Sequence, residues 1–385
     1  MAQATPGDLL TLEQIAALGR FDGKGARVMS VYLDLPPERQ RNAGLLTAFK
    51  DLVQSLPDHS ARDEAQHVAA RLGHVEGRGL AIFSCAQHAF WHVQPLPVPV
   101  TDHIAFERTA DIGPLITLLD DYQRYAVVLV DKARARLFTV QLGAIEEHQS
   151  LYEDLPPKHD QGGMSQARLQ RHHEEHVHWH LKDVVERLEQ LARAQPFDRL
   201  VLAGPVEPLS EFRSLLPRAL ADRLVEAASL EFTANADDVL AKTLEIEQRA
   251  EREQEERVVE QLAEAVAHQR GARGLAATLR AIYLGNVLTL VVAANAHSEG
   301  AECLNPDCGL LEQQPVDTCP ACSGAMAPTR HVVHRAMARA LDQGGSVEVV
   351  HDRAAERLIE HDGLGAIFRF ENPLSATSSA PRASR

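Results

Sequence analysis

Apolar residues recur along the chain with two different spacings, and their alternation predicts a mixed α/β protein. Apolar runs bounded by Pro, Gly or charged residues predict strands at 27–35, 80–83, 89–93, 125–130, 135–140, 199–203, 287–294, 346–350 and 366–370. Spacings of three and four residues predict helices at 45–56, 61–72, 111–120, 165–193, 211–221, 237–268, 275–284, 331–341 and 354–360. Residues 224–232 fit either element. Because strands and helices alternate, we expect sheets covered by helices.

Breaks in this pattern divide the chain into three predicted domains and a tail. An N-terminal α/β domain covers residues 1–121, and a middle domain with a glycine-bearing loop and a long helix covers residues 122–270. Residues 271–373 form a C-terminal α/β/α domain that a cysteine cluster interrupts. Residues 374–385 are rich in Ser, Ala, Pro and Arg, and we expect them to be disordered.

The predicted helix at 237–268 carries many Glu and Arg residues spaced three and four positions apart. Pairs of this kind stabilise exposed helices. We therefore interpret the segment as a solvated helix that bridges two domains, and we assign no nucleic-acid role to it.

Composition and charge narrow the classes of function. With 45% hydrophobic and 24% charged residues among 385, the chain has the composition of a folded globular protein. Its 54 acidic and 39 basic residues give a net charge of -15, which argues against DNA binding but leaves room for a local RNA contact. No apolar stretch is long enough to span a bilayer and no secretory signal is visible, so we expect a cytoplasmic protein without a membrane partner.

Four of the five cysteines are crowded into one short stretch, as Cys303, Cys308, Cys319 and Cys322. Two closely spaced thiolate pairs are typical of structural Zn²⁺, and four cysteine ligands leave no open position for catalysis. Glycines shortly after each pair suit the tight turns of such a site. A cluster of reduced thiols without metal is the alternative. Cys85 lies alone in a predicted strand, and we interpret it as a core residue.

A second group of candidate residues surrounds the glycine pair at 162–163. Adjacent glycines allow positive φ and let another backbone approach closely. Ser165 suits the start of the following helix, whose free N–H groups attract anions. Lys158, Arg168 and Arg171 are close enough in sequence to grip phosphates together. A mobile surface loop is the alternative interpretation.

The helix after this loop is rich in histidine. Its histidines are His172, His173, His176, His178 and His180. The run His172-x-x-Glu175-His176 also spells the inverted zinc-protease motif, but no third ligand is evident, so we prefer a polar helix face to a zinc-dependent hydrolase. The sequence contains no phosphate-binding loop, no dinucleotide-binding glycine motif and no nucleophile elbow.

At the glycine loop the sequence resembles a known family. The loop and helix of archaeal and eukaryotic class-I peptide release factors resemble the run Lys158-His159-x-x-Gly162-Gly163-x-Ser165-x-x-Arg168-x-x-Arg171. Segments 279–287 and 363–370 resemble the ends of that family's kink-turn-type C-terminal domain, and the cysteine insertion resembles the zinc-bearing minidomain of archaeal members. The resemblance covers residues 125–370, about two-thirds of the chain, and is best with the bacterial branch, which includes Pelota-like and Balon-like ribosome-binding proteins.

This resemblance implies a fold and a place of action. The middle domain is expected to be RNase H-like with an exposed tip at 162–166, and the C-terminal domain to be an α/β/α kink-turn-type domain carrying a zinc knuckle. The expected partners are the ribosomal A site, rRNA and tRNA, with a translational GTPase as a further candidate. The implied RNA-binding residues are Lys158, His159, Ser165, Arg168 and Arg171.

In the family, a Gly-Gly-Gln tip enters the peptidyl-transferase centre and supports hydrolysis of peptidyl-tRNA. The candidate catalytic residues are therefore Gly162, Gly163, Met164 and Gln166. Met164 occupies the position of the catalytic glutamine, and the nearest glutamine is Gln166; a tRNA-cleaving quality-control relative also has its glutamine displaced, by one residue.

Two activities therefore stay open. The glycine pair with Gln166 favours a factor that releases peptide or rescues ribosomes, whereas Met164 favours a non-catalytic hibernation factor that blocks the centre. The codon-reading motifs of the eukaryotic factors are absent from residues 1–121, so stop-codon recognition is not expected.

Overall fold

The chain folds into two compact units. A computed structural model describes residues 11–23, 25–39, 42–56, 60–73, 75–152 and 164–370, with only the backbone described at 42, 43, 152 and 164–170. One unit consists of residues 122–251, and the other of residues 1–121 together with residues 252–385. The predicted division into three domains stays a prediction. Its first boundary, after residue 121, coincides with a boundary between units, whereas the other unit boundary, after Glu251, lies inside a continuous helix where the sequence has no break.

The N-terminal segment of the larger unit is built around an antiparallel sheet. Its elements are α1 (Leu12–Gly19), β1 (Val28–Asp34), α2 (Asn42–Gln54), α3 (Ala61–Arg71), β2 (Gly79–Cys85), β3 (Phe90–Leu96), β4 (His103–Glu107) and α4 (Gly113–Asp121). The strand order is β3-β2-β1-β4. Helices α2 and α3 cover one face, where Phe49 and Val68 share a core with Leu33 and Ile82. Cys85 is 1% exposed, in agreement with its interpretation as a core residue.

Residues 122–251 form the second unit, around a mixed sheet. Its elements are β5 (Tyr125–Val130), β6 (Arg134–Gln141), β7 (Ala144–Tyr152), α5 (Met164–Ala194), β8 (Arg199–Ala203), α6 (Val206–Leu215), α7 (Arg218–Ala221), β9 (Leu224–Ala228) and the first part of α8 (Ala236–Ala267). The order is β7-β6-β5-β8-β9, antiparallel from β5 to β7 and parallel from β5 to β9. Helices α5 and α6 share a core with one face of the sheet, and α8 shares a core with the other.

Two predictions for this unit are corrected by the structure. The helix predicted at 211–221 is instead two helices, because Pro217 has no N–H to continue α6 and itself precedes the first residue of α7. Strand β7 is missed by the sequence pattern, since its middle is Glu-Glu-His-Gln-Ser and it pairs only with β6 at the edge of the sheet.

Helix α8 is more buried than its charge pattern indicates. Thr243, Glu247, Glu251 and Glu255 follow one another at four-residue intervals, and all four are buried. Arg199 of β8 contacts both Glu247 and Glu251, with a distance of 2.7 Å from its Nη1 to Glu247 Oε1. Buried charges require such partners, so the interpretation of α8 as a solvated bridge is wrong for this face. Even the two longest helices, α5 and α8, are polar, and no described helix has the length and apolarity needed to cross a bilayer.

Residues 252–370 complete the larger unit with two sheets. The elements after α8 are β10 (Gly271–Arg273), α9 (Leu275–Tyr283), β11 (Val287–Ala293), β12 (Gly300–Cys303), β13 (Leu311–Glu312), β14 (Met326–Thr329), α10 (Val332–Asp342), β15 (Ser346–Val350), α11 (Asp352–Ile359) and β16 (Leu364–Phe368). One sheet has the order β10-β16-β11-β15, with β11 parallel to β15 and the other pairs antiparallel. A small antiparallel sheet, β13-β12-β14, carries the cysteine segment. The predicted mixed α/β class is confirmed.

Stability of the larger unit is expected to fall as the pH rises above the ordinary histidine pKa of about 6.5, because His351 then loses its proton. Nδ1 of His351 is 3.0 Å from Oε1 of the buried Glu255, and Nε2 of the same ring is 3.4 Å from Oδ1 of Asp121. The hydrogen bond to Glu255 and the charge of Asp121 raise the pKa of His351. Because the folded state holds this proton more tightly than the unfolded state, the contribution is complete below the ordinary histidine pKa and is lost above the raised one.

Thermal unfolding of wild type and His351→Gln at several pH values checks this expectation. The variant should show a flatter pH dependence than wild type, whereas His297→Gln, at an exposed histidine that lies 3.0 Å from the nearby Asn295 carbonyl, should keep the wild-type slope. Equal slopes for wild type and His351→Gln would refute the role of His351.

Candidate functional site

The predicted catalytic loop and the start of helix α5 fall at the edge of the described structure. Lys158, His159, Gly162 and Gly163 lie outside the described residues. Met164, Ser165, Gln166 and Arg168 belong to the first turns of α5, where only the backbone is described. The helix begins at Met164, so Ser165 lies within it instead of preceding it. Arg171 follows on the same helix with an exposed side chain.

The later turns of α5 pack into the core of the second unit. Its buried apolar residues are Val177, Leu181, Val184, Val185 and Leu188, which share a core with β5, β6 and β8. No residue from Arg171 to His176 is buried, so among the α5 residues whose side chains are described the first to pack in the core is Val177. The buried turns from Val177 onward therefore support residues 171–176, which precede them on the helix and lie outside the core.

The exposed surface of α5 is aromatic and polar. Trp179 is 67% exposed, and Lys182 Nζ lies 5.6 Å from the centre of its ring. His178 Nδ1 is 3.0 Å from Glu211 Oε1, and the rings of His172 and His176 are 4.6 Å apart. Among the described residues, none of the α5 histidines belongs to a group of three or more side chains with the spacing of metal ligands. Within the described residues, the inverted zinc-protease motif therefore forms no metal site.

The four predicted zinc ligands converge. The Sγ atoms of Cys303 and Cys322 are 3.5 Å apart, those of Cys308 and Cys319 are 3.7 Å apart, and all four lie within 4.8 Å of one another. Tetrahedral Zn²⁺ with bonds of about 2.3 Å holds its sulfur ligands about 3.8 Å from one another. The four thiols therefore have the geometry of a metal site, and their chemistry and spacing fit Zn²⁺.

The turns around the cysteines have the backbone that such a site needs. Gly309 and Ser323 adopt left-handed φ values of 62° and 58°. In the metal-free state, burial raises the pKa of the Cys303 thiol to about 12, and the N–H of Gly324 lowers the pKa of the Cys322 thiol to about 7. A coordinated divalent cation deprotonates its thiol ligands, so binding would remove this difference between the two cysteines.

A buried ion pair joins the cysteine sheet to helix α10. Arg335 of α10 donates through Nε to Oε2 of Glu302 at 3.1 Å and through Nη2 to Oε2 at 3.0 Å. Both residues are buried, and Glu302 immediately precedes Cys303 in β12. Removing one partner of a buried ion pair strongly lowers the stability of the fold. The position of the cysteine sheet is thus coupled to that of α10.

A second group of side chains with the spacing of metal ligands was not predicted. His103, Asp111, His331 and His334 each offer one donor atom, and these atoms lie within 4.8 Å of one another. The only sequence signal was the three-residue spacing of the last two histidines at the start of α10. Asp111 lies 223 residues before His334, so tertiary packing alone brings them together.

Comparison with known proteins gives one family match and several relatives. Residues 111–248 match the model of a family described as bacterial archaeo-eukaryotic release factor family 10. Peptide chain release factor subunit 1 of Methanopyrus kandleri is 26% identical over 204 residues, which is 51% of this chain and 50% of that protein. Eukaryotic peptide chain release factor subunit 1 of Stylonychia lemnae is 38% identical over 73 residues, 19% of this chain and 16% of that protein. The matched regions thus span half or less of the length of these two relatives.

Solved structures of translation factors are also similar to the chain. Saccharomyces cerevisiae Dom34, described as a translation termination-like factor of RNA quality control that interacts with Hbs1, is 11% identical, with 83% of this chain and 78% of that chain covered and a TM-score of 0.44. The archaeal translation termination factor aRF1 is 16% identical, with 94% and 99% covered and a TM-score of 0.27.

Proposed function

The chain belongs to the bacterial branch of the archaeo-eukaryotic class-I release factor superfamily, and from this premise we propose that it is a translation factor that binds the ribosomal A site. One observation carries the proposal: the glycine pair at 162–163, followed by α5 and its basic residues, lies inside the region that matches the family model. Contacts with rRNA and tRNA, delivery by a translational GTPase and a cytoplasmic location belong to the same proposal.

Helix α5 supports the proposed placement of the loop. Its later turns are buried in the core of the second unit, while residues 171–176 stay outside that core. Sites on rigid elements are positioned more precisely than sites on free loops. Arg168 and Arg171, three residues apart on this helix, fall on one side of it and suit phosphate groups of RNA. In this proposal α5 carries the glycine pair into the peptidyl-transferase centre.

The sheets support the proposed domain types. The strand order β7-β6-β5-β8-β9, with two antiparallel pairings followed by two parallel ones, agrees with the RNase H-like middle domain that the resemblance implies. The mixed sheet β10-β16-β11-β15 and its helices agree with the kink-turn-type domain. The cysteine sheet is the proposed zinc knuckle, in which Zn²⁺ stabilises the fold and takes no part in chemistry.

Two activities fit this placement, and each has an observation in its favour. In peptide release or ribosome rescue, Gly162 and Gly163 admit the loop, and either the Met164 backbone N–H or the Gln166 amide stabilises the attacking water or the developing oxyanion. In hibernation, the same loop blocks the centre and cleaves nothing. Gln166 favours release, whereas the Met164 side chain, which donates no hydrogen bond, favours blocking.

Ribosome binding is expected to depend on the cations around the loop. Changing Lys158, Arg168 and Arg171 together to Ala should lower affinity for 70S ribosomes at least on the order of 100-fold, because charge-assisted hydrogen bonds contribute about 1.5–3 kcal/mol each. Wild-type binding should also weaken as salt rises, and the variant should show a smaller salt dependence. Co-sedimentation with ribosomes over a range of salt concentrations measures both effects.

A matched variant separates these positions from total charge. Changing Arg193, Arg213 and Arg218 together to Ala also removes three positive charges, but from exposed positions elsewhere in the second unit. This control should sediment with ribosomes like wild type. If the two triple variants bind equally well, the loop cations do not contact RNA and the proposed placement fails.

A further inference from the structure

Four side chains of the larger unit surround a common point away from the cysteines. His103 begins β4, Asp111 lies between β4 and α4, His331 immediately precedes α10, and His334 is in its first turn. His103 Nε2 is 2.7 Å from Asp111 Oδ2, and His334 Nδ1 is 2.9 Å from Asp111 Oδ1. The centre of the His331 ring lies 4.8 Å from that of His103 and 5.5 Å from that of His334. Three imidazoles thus gather at one carboxylate.

Within the described part of the chain, the carboxylate at the centre is paired with histidines alone. Asp111 is 2% exposed, and within the described residues no Lys or Arg forms an ion pair with it. Glu107 lies nearby and accepts hydrogen bonds from the Thr329 hydroxyl and the Arg330 N–H; burial, with the charge of Asp111, raises the pKa of Glu107. A buried carboxylate beside a second carboxyl group favours the binding of a cation.

The ring of His331 lies outside the hydrogen bonds that the described residues form around Asp111. Within the described residues, neither ring nitrogen of His331 forms a hydrogen bond, although the ring lies against His103 and His334. Neutral imidazole nitrogens are the commonest metal ligands in proteins. A ring held in this cluster without a hydrogen-bond partner therefore has a lone pair available to a metal.

The surroundings hold the cluster in place. Ser30 accepts a hydrogen bond from the Asp111 N–H, and the Tyr32 hydroxyl donates to the Asp111 carbonyl. A Cβ on Gly113 would lie 2.2 Å from Cγ of His334, so only glycine lets the imidazole approach. Hydrogen bonds and packing that fix ligands in this manner are typical of metal sites.

We propose that His103, Asp111, His331 and His334 bind a divalent transition-metal ion such as Zn²⁺. Three nitrogens and one carboxylate oxygen form a donor set suited to Zn²⁺, with bonds of about 2.0–2.2 Å, so that closing the cluster onto one ion needs side-chain shifts on the order of 1 Å. The ion joins β4 and the segment before α4 to α10, two parts of the unit that are far apart in sequence. This site is independent of the cysteines and of the loop that carries the proposed function.

Metal titration of the full chain tests this site. Chelator-stripped, reduced protein is titrated with Zn²⁺ and with Co²⁺, whose thiolate-to-cobalt charge-transfer absorption reports on the cysteine site alone. We expect wild type to bind two ions and His331→Ala to bind one with the thiolate absorption retained. His297→Ala, at an exposed histidine elsewhere in the unit, should bind two.

Stability gives a second readout that does not depend on counting ions. In wild type that has already received one equivalent of Zn²⁺, a second equivalent should raise the unfolding temperature, because a ligand that binds only the folded state stabilises it. The increase caused by the second equivalent should be absent in His331→Ala. Because the substitution keeps the backbone hydrogen bond from the His331 N–H to Thr329 and breaks no hydrogen bond of the ring within the described residues, we expect the variant to fold. One ion in wild type, or the same number in wild type and His331→Ala, would overturn the proposal and leave a metal-free hydrogen-bonded cluster.

Discussion

Replacing Cys319 with Ser is expected to abolish Zn²⁺ binding at the proposed cysteine site and to unfold the sheet of β12, β13 and β14. Cys319 is 1% exposed, and the core of this sheet contains few other buried residues, among them Ala301, Leu310 and Met326. Structural Zn²⁺ contributes on the order of 10 kcal/mol to the folding of zinc-finger peptides. Burial of so few apolar residues does not supply a free energy of that size. We therefore expect the sheet to become disordered when Zn²⁺ is not bound.

The effect should also reach helix α10. Glu302, next to Cys303, holds Arg335 in a buried ion pair, and a disordered β12 leaves that guanidinium without its partner. We therefore expect fast hydrogen exchange at amides of β12 and β14 and faster exchange in α10, while amides of the second unit keep their protection.

Elemental analysis together with hydrogen exchange on the reduced full chain measures this prediction. Cys319→Ser should contain one zinc ion fewer per chain than wild type. Cys85→Ala is the matched control, because Cys85 is a buried cysteine of β2 and should keep both the zinc content and the protection pattern. Unchanged zinc in Cys319→Ser would refute the cysteine site.

Local patterns were enough to predict most of the elements. Strands β5 and β8 are buried throughout, so unbroken apolar runs reveal them. The cysteine site was predictable for a related reason, since its ligands are near neighbours in sequence and their spacing carries the signal. Where an edge strand is polar, as in β7, or where Pro217 divides a helical pattern, the local signal is too weak or ambiguous.

Features that depend on distant contacts were not predictable. The acidic residues of α8 look alike in sequence, but Glu247 is buried because Arg199 of β8 packs against it, and Glu255 because His351 does. The cluster likewise requires Asp111 and His334 of α10 to meet across 223 residues. One sequence without its fold does not tell which of many charged residues and histidines are brought together in this way.

Peptide release from ribosomes is expected to be slow with the wild-type chain and to rise on the order of 100-fold in Met164→Gln, the size of effect that one hydrogen-bond donor has at an oxyanion. The reason lies in the Gly-Gly-Gln tip that the family resemblance implies, since Met164 is predicted to occupy its last position. A methionine side chain offers no donor, and Gln166 lies two residues further on, within α5. Catalysis requires close positioning, so a side chain displaced along the helix is a poor substitute.

Release of labelled peptide from ribosomes with peptidyl-tRNA in the P site measures this difference, and two further variants assign the groups involved. Gly163→Ala adds a Cβ to the glycine pair and should abolish release in the Met164→Gln background, because the loop then no longer fits. Gly73→Ala, at a glycine with open space around it, should have no effect. Fast release by wild type that is lost in Gln166→Ala would contradict the expectation and assign the hydrolytic role to Gln166. Tight binding without release in wild type, and a gain with Met164→Gln, would identify a factor that blocks the centre through the one residue by which its tip departs from the hydrolytic pattern.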